Sequence, residues 1–538
     1  MLDREPAPRL NLPMPGPSAL LPLACALLLP LAAAGAGADL YRIQCSACHG
    51  PEGKGIPGVF PPLAGSDFLR DRREQALRAP MEGVQGPLTV NGVTYQAQMP
   101  AVALKDDQMV ELFNFIFKAW GNDLPATNLA EIGAVRAKSR FPTFELLVDS
   151  MCPKTLPEPP AGWKLRIALP LKFNPIRALA TPDARAVLLL AANGDVWTWD
   201  LAADQPSRLF AGEDYIDAKL GGPACLGLAL DNKRRLYVVA NQCDKSRNPV
   251  LNQITVFRAA PKTEGRWEQP RPWLRTDYPF GVGPYNHGVS HLEQGPDGWL
   301  YLSSGARTDG NEPGQSDNYF KGGEVPTTAT MWRLDPEAAD PQIEIHARGL
   351  RNTFHFTWDH AGRLLGVENG PDADAPEELN VITSGGHYGF PYQFSDWTRK
   401  AYPHSPDAPA GLKITPPIRN LGPDALGADG PTATFTPHSS PSAIVELGPD
   451  WPAPLGGQLL VARFGNLISA SSGYDLLRLK VDFAQGTAET HAVLTPLGRP
   501  IALVKLPGHR LLIAEYTRGT TLGAGLSTPG RLLILEPK

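Results

Sequence analysis

The sequence has few charged residues and no marked excess of either sign. Only 20% of its 538 residues are charged, and 50 Lys and Arg against 55 Asp and Glu give a formal net charge of −5. That balance gives no excess of basic residues for binding nucleic acid. The 53 Gly and 56 Pro residues exclude a long helical or coiled-coil protein. The 42% of hydrophobic residues suffices for a large core, so we expect a folded chain of two domains.

Long apolar runs are also absent, except for one near the N-terminus. Residues 19–34 are uncharged and almost wholly apolar, and small residues follow at positions 36–38. This pattern predicts a signal peptide over residues 1–38, cleaved before Asp39, and a mature protein in the periplasm or outside the cell. The alternative is an uncleaved anchor, although the run is short for a membrane span and contains two prolines. We expect no stable membrane span after cleavage.

Cysteine is scarce, with six residues in the chain. Cys225 and Cys243 bracket a predicted hairpin, so a disulfide between them is geometrically reasonable in an oxidising compartment. The alternative is that these residues and Cys152 are buried free thiols. Cys152 has no expected partner in either case. Cys45 and Cys48 form a separate, closely spaced pair.

The strongest local motif is Cys45-Ser46-Ala47-Cys48-His49. The C-x-x-C-H pattern is the attachment site of c-type haem, because both thiols lie on one side of a helical turn and the histidine follows at once. A zinc or redox cysteine pair can produce the same pattern, but no second pair is present to complete a zinc site. We therefore predict covalent haem c on Cys45 and Cys48, with His49 bound to the iron.

The residues around this motif resemble a small class I cytochrome c domain from position 40 to position 120, so we assign residues 39–125 to an all-α domain. One apolar helical stripe closes it, formed by Met109, Leu112, Phe113, Ile116 and Trp120. The resemblance implies His49 and Met99 as the axial iron ligands, with Met81 and Met109 as the rival methionines. A His/Met pair raises the reduction potential, which suits accepting electrons.

After a linker at residues 126–160, the chain repeats one pattern six times over residues 161–538. Each copy is an apolar strand, a turn of the Pro-Asp-Gly kind, a second apolar strand and a third strand. Repeats of this kind predict an all-β six-bladed β-propeller, and the alternative is a β-sandwich. Insertions at 306–328 and 388–437 are expected on the functional face.

The fourth and fifth units carry specific motifs: GLRN at 349–352, VENGPDAD at 367–374, EELN at 377–380 and GGHYGFP at 385–391. This stretch resembles the soluble quinoprotein glucose and aldose sugar dehydrogenases, six-bladed propellers that use pyrroloquinoline quinone (PQQ). Two shorter motifs resemble the related sorbosone-dehydrogenase-like proteins; they are HSSP at 438–441 and GRP at 498–500.

The resemblance implies that His287 is the catalytic base, and a histidine that titrates near neutrality suits this task. PQQ carries three carboxylates, which a guanidinium fork binds well. The predicted cofactor contacts are Arg351, Asn352, Arg499 and, less clearly placed, Arg463.

The resemblance also implies a calcium ion that polarises the quinone oxygens through oxygen ligands. Backbone carbonyls of Gly370 and Pro371 are the implied ligands. The neighbouring carboxylates Glu377 and Glu378 could hold calcium directly, or could be part of a solvated loop.

One departure from the family bears on the site. The aspartate that orients the catalytic histidine in the family is replaced by Ala306, and Asp309 is the nearest substitute. The second unit also lacks a match for the polar cofactor contact expected there. His291 and His355 are interpreted as structural.

Together these features predict an exported haem c-linked oxidoreductase, in which PQQ-dependent oxidation of an aldose or related alcohol or aldehyde passes electrons to the haem. The haem would pass them to an external acceptor, such as a cytochrome or a respiratory chain component. The alternative is an electron-transfer protein whose propeller is a docking module without PQQ. A haem d₁ nitrite reductase would need eight blades, and a lactonase would have no use for the haem.

Overall fold

The computed structural model describes residues 35–56, 59–96, 99–152, 155–263, 265–281, 287–313, 320–396, 398–424, 432–466, 472–519 and 528–538. The predicted signal peptide at 1–38 lies outside these residues, apart from its C-terminal end. Among the residues described, no helix combines the length and the apolar character that crossing a bilayer requires.

The N-terminal part of the chain is helical apart from one short hairpin. Its helices are α1 (Gly35–Gln44), α2 (Ser46–His49), α3 (Asp67–Asp71), α4 (Arg73–Glu82), α5 (Asp106–Ile116), α6 (Leu129–Ala137) and α7 (Phe144–Met151). The hairpin strands are β1 (Leu88–Val90) and β2 (Val93–Tyr95). The predicted stripe is confirmed for Met109, Leu112, Phe113 and Ile116 of α5, which are all buried in one core with residues of α1 and α4. Trp120, the fifth predicted member, lies beyond α5 in a 3-10 turn at Ala119–Gly121 and is only partly buried.

The segment predicted as a linker contains two of these helices. Ile132 and Val135 of α6 join the same core, and Arg73 of α4 forms an ion pair with Glu131 of α6 at 2.7 Å. Helix α7 packs Leu147 and Val148 against Ala103. The helical domain therefore extends beyond residue 125, since its apolar surface is completed by α6 and α7.

The rest of the chain is almost entirely strands, apart from one 3-10 turn at Gly212–Asp214. The strands are β3 (Trp163–Pro170), β4 (Pro175–Ala180), β5 (Ala186–Ala191), β6 (Val196–Asp200), β7 (Ser207–Phe210), β8 (Ala224–Leu230), β9 (Leu236–Asp244), β10 (Leu251–Ala259), β11 (Pro261–Thr263), β12 (Arg266–Trp267), β13 (Arg271–Pro279), β14 (Val289–Gln294), β15 (Leu300–Ser304), β16 (Thr330–Leu334), β17 (Glu344–Arg348), β18 (Thr353–Trp358), β19 (Leu364–Glu368), β20 (Glu378–Ile382), β21 (Arg419–Pro423), β22 (Thr432–Ala433), β23 (Pro441–Glu446), β24 (Leu459–Arg463), β25 (Asp475–Asp482), β26 (Thr487–Leu494), β27 (Pro500–Leu506), β28 (Arg510–Glu515) and β29 (Arg531–Pro537).

Apart from the separate two-stranded sheet β11-β12, these strands form six sheets that follow one another along the chain, and their pairing is antiparallel except between β21 and β26. The sheets have the orders β4-β5-β6-β7, β8-β9-β10-β13, β14-β15-β16-β17, β18-β19-β20, β23-β24-β25-β26 with β21 and β22 added, and β27-β28-β29-β3. The first strands β4, β8, β14, β18, β23 and β27 contact one another in sequence, and β27 returns to β4. The architecture is a six-bladed β-propeller, as predicted, with a channel enclosed by these six inner strands.

The ring is closed by strands from both ends of this region. Strand β3, at the start of the propeller, pairs antiparallel with β29, at the end of the chain, from Trp163 opposite Pro537 to Pro170 opposite Arg531. The last blade therefore contains β3 as its outer strand, and neither end of the region presents an open inner edge.

The predicted hairpin at Cys225 is present, but no disulfide joins Cys225 and Cys243. Cys225 lies opposite Ala240 across the β8–β9 pair, whereas Cys243 lies further along β9, opposite Asn252 of β10. The sheet register separates the thiols, so the disulfide prediction is not supported. Of Cys152, Cys225 and Cys243 only Cys225 is fully buried, so the alternative of buried thiols holds for Cys225 alone.

Candidate functional site

The haem-attachment motif forms a tight helical turn. Cys45 lies between α1 and α2, and the His49 N–H donates to the Cys45 carbonyl at 2.9 Å. Nδ1 of His49 donates to the Pro61 carbonyl at 2.9 Å, which leaves Nε2 to face a metal. Burial lowers the pKa of His49, so the imidazole is neutral, as an iron ligand must be. These residues fit a covalently attached haem.

The three methionines considered as iron ligands differ in how deeply their side chains are buried. Met81 and Met109 are fully buried in the helical core, in α4 and α5 respectively. The Met99 side chain is only partly buried, and its backbone pairs with Val84 through bonds of 2.8 and 2.9 Å. Met99 remains the predicted second ligand, since packing already accounts for the other two.

The predicted propeller residues gather at one end of the channel. In each blade the antiparallel pairing sets the start of the first strand beside the end of the second, as Thr353 pairs with Glu368 and Pro500 with Glu515. The residues that precede the first strands or follow the second strands therefore face the same end, which we call the channel mouth. They include His287, Arg351, Asn352, Gly370, Pro371 and Arg499.

His287 is held at the channel mouth by backbone contacts between two blades. Its N–H donates to the Ala306 carbonyl at 3.3 Å, and the Ala306 N–H donates to the Arg351 carbonyl at 2.6 Å. A Cβ at Gly305 would lie only 2.6 Å from Cβ of His287, so glycine is needed beside the ring. Nε2 of His287 is buried and has no hydrogen-bond partner among the residues described.

The electrostatic environment keeps His287 neutral. Burial, and then the nearby charge of Arg351, lower the pKa of His287 well below its ordinary value. A neutral imidazole with an unpaired buried nitrogen is able to accept a proton from a bound hydroxyl group.

Arg351 is buried and already forms an ion pair. Its Nη2 donates to Oδ1 of Asp309 at 2.6 Å, and its Nη1 donates to the Asn369 carbonyl at 3.0 Å. Asp309 also accepts from the hydroxyl of Tyr402, which belongs to the second insertion. The structure thus places Asp309 as a partner of Arg351, whereas we had considered it as the residue that orients His287.

Arg499 is buried without a carboxylate partner among the described residues. Its Nη2 donates to the Tyr474 hydroxyl at 3.0 Å, and its Nη1 donates to the Gly465 carbonyl at 3.1 Å. Nε of Arg499 is buried and has no hydrogen bond to a described residue. Burial lowers the pKa of the Arg499 guanidinium, because a buried charge without a counter-charge is unfavourable. A negatively charged ligand would therefore stabilise this cation.

Arg463 is placed in a different environment. Its guanidinium forms ion pairs with Asp475 at 2.5 Å and with Asp424 at 3.0 Å, and its side chain is nearly inaccessible. Two carboxylates already neutralise this charge, so the geometry does not support the cofactor contact that we predicted for Arg463.

Glu377 and Glu378 face different neighbours. Oε2 of Glu377 accepts from the Ser439 hydroxyl at 2.9 Å and from the Ser440 N–H at 2.7 Å. Glu378 accepts from Asn380 at 2.7 Å and from the Ser395 N–H at 2.6 Å. Burial raises the pKa of Glu377 to about 8 and that of Glu378 to about 7.

Glu377 and Glu378 are not part of a larger cluster of metal-ligating side chains among the described residues. No group of three or more His, Cys, Asp or Glu side chains suited to a metal occurs in the described part of the chain. The backbone carbonyls of Gly370 and Pro371 lie at the channel mouth, directly after β19, and remain the fitting donors.

Sequence reasoning missed one residue at the mouth. Oδ1 of Asn369 is buried and has no hydrogen-bond partner among the described residues, while its N–H donates to the Asn352 carbonyl at 3.1 Å. Asn369 stands directly before Gly370 in the VENGPDAD motif, so its position in that motif was the available signal.

Comparisons with known proteins divide the chain at similar positions. Residues 173–506 match the glucose/sorbosone dehydrogenase family, and residues 34–120 match the cytochrome c family. Cytochrome c-552 of Thermus thermophilus is 41% identical over 91 residues, which are 16% of this chain and 69% of that protein. The cytochrome c subunit of a quinone alcohol dehydrogenase of Gluconobacter oxydans is 34% identical over 96 residues, 17% of this chain and only 20% of that subunit.

A solved structure also resembles the propeller. The PQQ-bound form of aldose sugar dehydrogenase from Streptomyces coelicolor is 17% identical to this chain, with a TM-score of 0.47. The match covers 71% of this chain and 100% of that protein.

Proposed function

The chain belongs to the glucose/sorbosone dehydrogenase family, with a cytochrome c domain before the propeller. We propose that it is an exported dehydrogenase that oxidises an aldose or a related alcohol or aldehyde. It is a haem-linked oxidoreductase. We propose that PQQ and Ca²⁺ are its cofactors. The channel mouth of the propeller is the proposed active site.

The observation that carries this proposal is Nε2 of His287, a buried proton acceptor without a partner among the described residues, beside the charge of Arg351. A second unpaired atom at the same end, Nε of Arg499, supports a negatively charged cofactor. Unpaired buried polar atoms are costly unless a ligand satisfies them.

Bound PQQ would supply the two-electron acceptor that oxidation of an alcohol or hemiacetal carbon requires. Nε2 of His287 takes the hydroxyl proton of the substrate. Arg499 and Arg351 would hold the cofactor carboxylates, and Asp309 fixes the guanidinium of Arg351 in place. Asn352 would add a polar contact at the base of the same loop.

For calcium, the backbone carbonyls of Gly370 and Pro371 fit the oxygen ligands that the ion prefers. The carboxylates of Glu377 and Glu378 fit less well, because each is held by other donors and burial raises the pKa of both groups. We therefore propose a carbonyl-based calcium site.

In the helical domain, haem c attached to Cys45 and Cys48 would receive the electrons and deliver them to an external carrier such as a cytochrome. His49 is oriented for this by Pro61, and Met99 is the proposed second ligand. Export through a signal peptide at 1–38 would bring the chain to the periplasm or the exterior, where haem is attached.

The test uses the purified full-length protein with haem attached. PQQ binding is measured by calorimetry with and without Ca²⁺, and haem absorbance is then followed as aldoses and simple alcohols are added. We expect saturable PQQ binding and haem reduction that depends on the sugar and on PQQ. Absence of PQQ binding, with the haem spectrum intact, would instead support the docking-module alternative.

A further inference from the structure

A buried arginine crosses the propeller channel below the mouth. Arg177 of β4 donates from Nε to the Leu226 carbonyl of β8 at 2.8 Å, and from Nη2 to the Phe354 carbonyl of β18 at 2.6 Å. Strands β4 and β18 belong to the first and fourth blades, so the side chain spans the ring. Nη1 of Arg177 is buried and has no hydrogen bond to a described residue.

The charge of Arg177 is not neutralised by the protein around it. Among the described residues no Asp or Glu forms an ion pair with Arg177, in contrast to Arg351 and Arg463. Burial lowers the pKa of Arg177 to about 9, which still leaves it protonated at neutral pH. A buried charge without a counter-charge is strongly unfavourable.

Two histidines complete the same layer of the channel. The rings of His291 and His355 stack with their centroids 4.0 Å apart. Neither ring nitrogen of His291, which is only 7% exposed, forms a hydrogen bond of good geometry to a described residue, although the Phe356 backbone lies close to the ring. Nδ1 of His355 lies 3.4 Å from the Ile444 N–H of the fifth blade.

The register explains why these side chains meet. Arg177, His291 and His355 are each the third residue of an inner strand, β4, β14 and β18 respectively. Two residues along a strand correspond to about 7 Å, so this layer lies about 7 Å deeper than the channel mouth. It is separate from the site proposed for PQQ.

The charged groups around the layer favour a negative ligand. Burial lowers the pKa of His291 and of His355 well below the ordinary value, and the proximity of Arg177 adds to this effect in both. The nearest carboxylate is Glu293, whose Oε2 lies 3.7 Å from Nε2 of His291. Burial raises the pKa of Glu293 to about 8, so at neutral pH it supplies little negative charge.

We propose that the propeller channel holds a small inorganic anion, of the size of chloride, between Arg177 and the His291–His355 pair. The anion accepts from Nη1 of Arg177 and from an N–H of His291, and so supplies the missing counter-charge. A metal cation does not fit, because a guanidinium repels it and cannot ligate it. We propose a small anion because Arg177 reaches from the first blade to the Phe354 carbonyl of the fourth, next to the stacked rings of His291 and His355.

Diffraction from crystals of the full-length protein soaked in bromide provides a direct test that needs no variant. We expect an anomalous bromide peak within hydrogen-bonding distance of Nη1 of Arg177. Crystals that diffract well but contain only water at this position, at high bromide concentration, would overturn the proposal.

A solution experiment addresses the same site by its effect on stability. The unfolding midpoint of the full-length protein is measured against chloride concentration, with gluconate keeping the ionic strength constant. A ligand that binds only the folded state raises its stability by RT ln(1 + [L]/Kd), so the chloride Kd is obtained by fitting this dependence. We expect that Kd to rise at least tenfold in Arg177→Lys.

Two further variants make this result specific. Arg208→Lys alters a half-exposed arginine on the outer strand of the same blade, and its chloride response should equal that of the wild type. His291→Phe keeps a stacked ring but removes both nitrogens, and it should weaken the response even if Arg177→Lys fails to fold. Equal chloride dependence in the wild type and His291→Phe would contradict the anion site. The result does not depend on PQQ, so it stands apart from the proposed function.

Discussion

At the scale of single residues, His287 has the geometry of a general base. Its Nε2 is buried without a partner among the described residues, and its pKa is lowered by burial and by Arg351. We expect His287→Asn to lower kcat by about 10²–10⁴-fold, the usual contribution of general base catalysis, with little change in PQQ affinity. Steady-state kinetics and calorimetry on one preparation measure both quantities.

The control for this variant is His509→Asn, because His509 is exposed and pairs with Asp450 away from the mouth. Since protonation of His287 would remove its basic nitrogen, activity should fall only when the pH drops below the ordinary histidine range. An unchanged kcat in His287→Asn would show that another group takes the proton.

Two arginines nominated from the sequence differ in their partners, and this difference can be measured. Arg499 has an unpaired Nε, whereas Arg463 is neutralised by Asp475 and Asp424. We expect Arg499→Lys to weaken PQQ binding by about 10- to 150-fold, since one charge-assisted hydrogen bond contributes about 1.5–3 kcal/mol. Arg463→Lys should lower thermal stability and leave PQQ affinity nearly unchanged. The reverse pattern, in calorimetry and thermal unfolding, would reassign the cofactor contact.

The methionines of the helical domain permit a matched test of iron ligation. Met81 is fully buried in the apolar core, and Met99 is partly buried beside Val84. Because a thioether ligand raises the haem potential, Met99→Ala should lower the midpoint potential measured by redox titration. Met81→Leu is a volume-conserving core change that costs less than about 1.5 kcal/mol and should leave the potential unchanged. A shift in Met81→Leu alone would identify Met81 as the ligand.

At the scale of elements, the buried carboxyl group of Glu377 joins the fourth and fifth blades. Glu377 precedes β20, accepts from Ser439 and Ser440 before β23, and has its pKa raised by burial to about 8. A raised folded-state pKa means that its contribution to stability is present below the unfolded pKa of about 4.3 and is lost as the pH rises through about 8.

We therefore expect the free energy of unfolding of the wild type to fall between about pH 5 and pH 8 more steeply than that of Glu377→Gln, which cannot ionise. Denaturant titrations across this range give the two slopes. Glu489→Gln, at an exposed position of β26, is the control and should follow the wild type. Parallel curves for the wild type and Glu377→Gln would show that Glu377 is ionised in the folded state.

The elements that could be predicted from the sequence are those whose pattern is local. The first two strands of each blade were predictable because a turn separates two apolar runs, as in HLEQGPDGWLYLSSG of β14 and β15. A third apolar run follows in each repeat and predicted the third strand. Helices α6 and α7 were missed because they are short, with nine and eight residues, and their apolar faces are covered only by distant parts of the helical domain, including Ala103 for α7. The closing strand β3 depends on β29, more than 350 residues away, and no local pattern reveals such a pairing.

The same distinction applies to the candidate site. The motifs located His287, Arg351 and Arg499 at the mouth, because each directly precedes an inner strand. They could not show that Asp309 pairs with Arg351, or that Asp475 and Asp424 neutralise Arg463 within its own blade, since those partners lie in other segments of the chain. Arg177 went unnoticed because one arginine in an apolar strand has no sequence signature.

At the scale of the whole molecule, the two domains have separate hydrophobic cores and the propeller ring is closed by a strand that follows the helical domain. Trp163 of β3 is fully buried, stacks on Trp451 of the fifth blade at 6.2 Å, and donates from Nε1 to the Ala453 carbonyl at 3.0 Å. It therefore ties the closing strand to the neighbouring blade. The core around α5 contains none of these residues.

We expect Trp163→Ala to destabilise the propeller by about 3–5 kcal/mol, the cost of removing a large buried aromatic side chain, and to leave the helical domain unaffected. Thermal unfolding followed by far-ultraviolet circular dichroism reports the strands, and haem absorbance reports the helical domain. Leu421→Ala, at a half-exposed position of β21, is the control and should change neither transition. If both transitions moved together in Trp163→Ala, the two domains would unfold as one cooperative unit, and the ring closure would stabilise the haem site as well as the propeller.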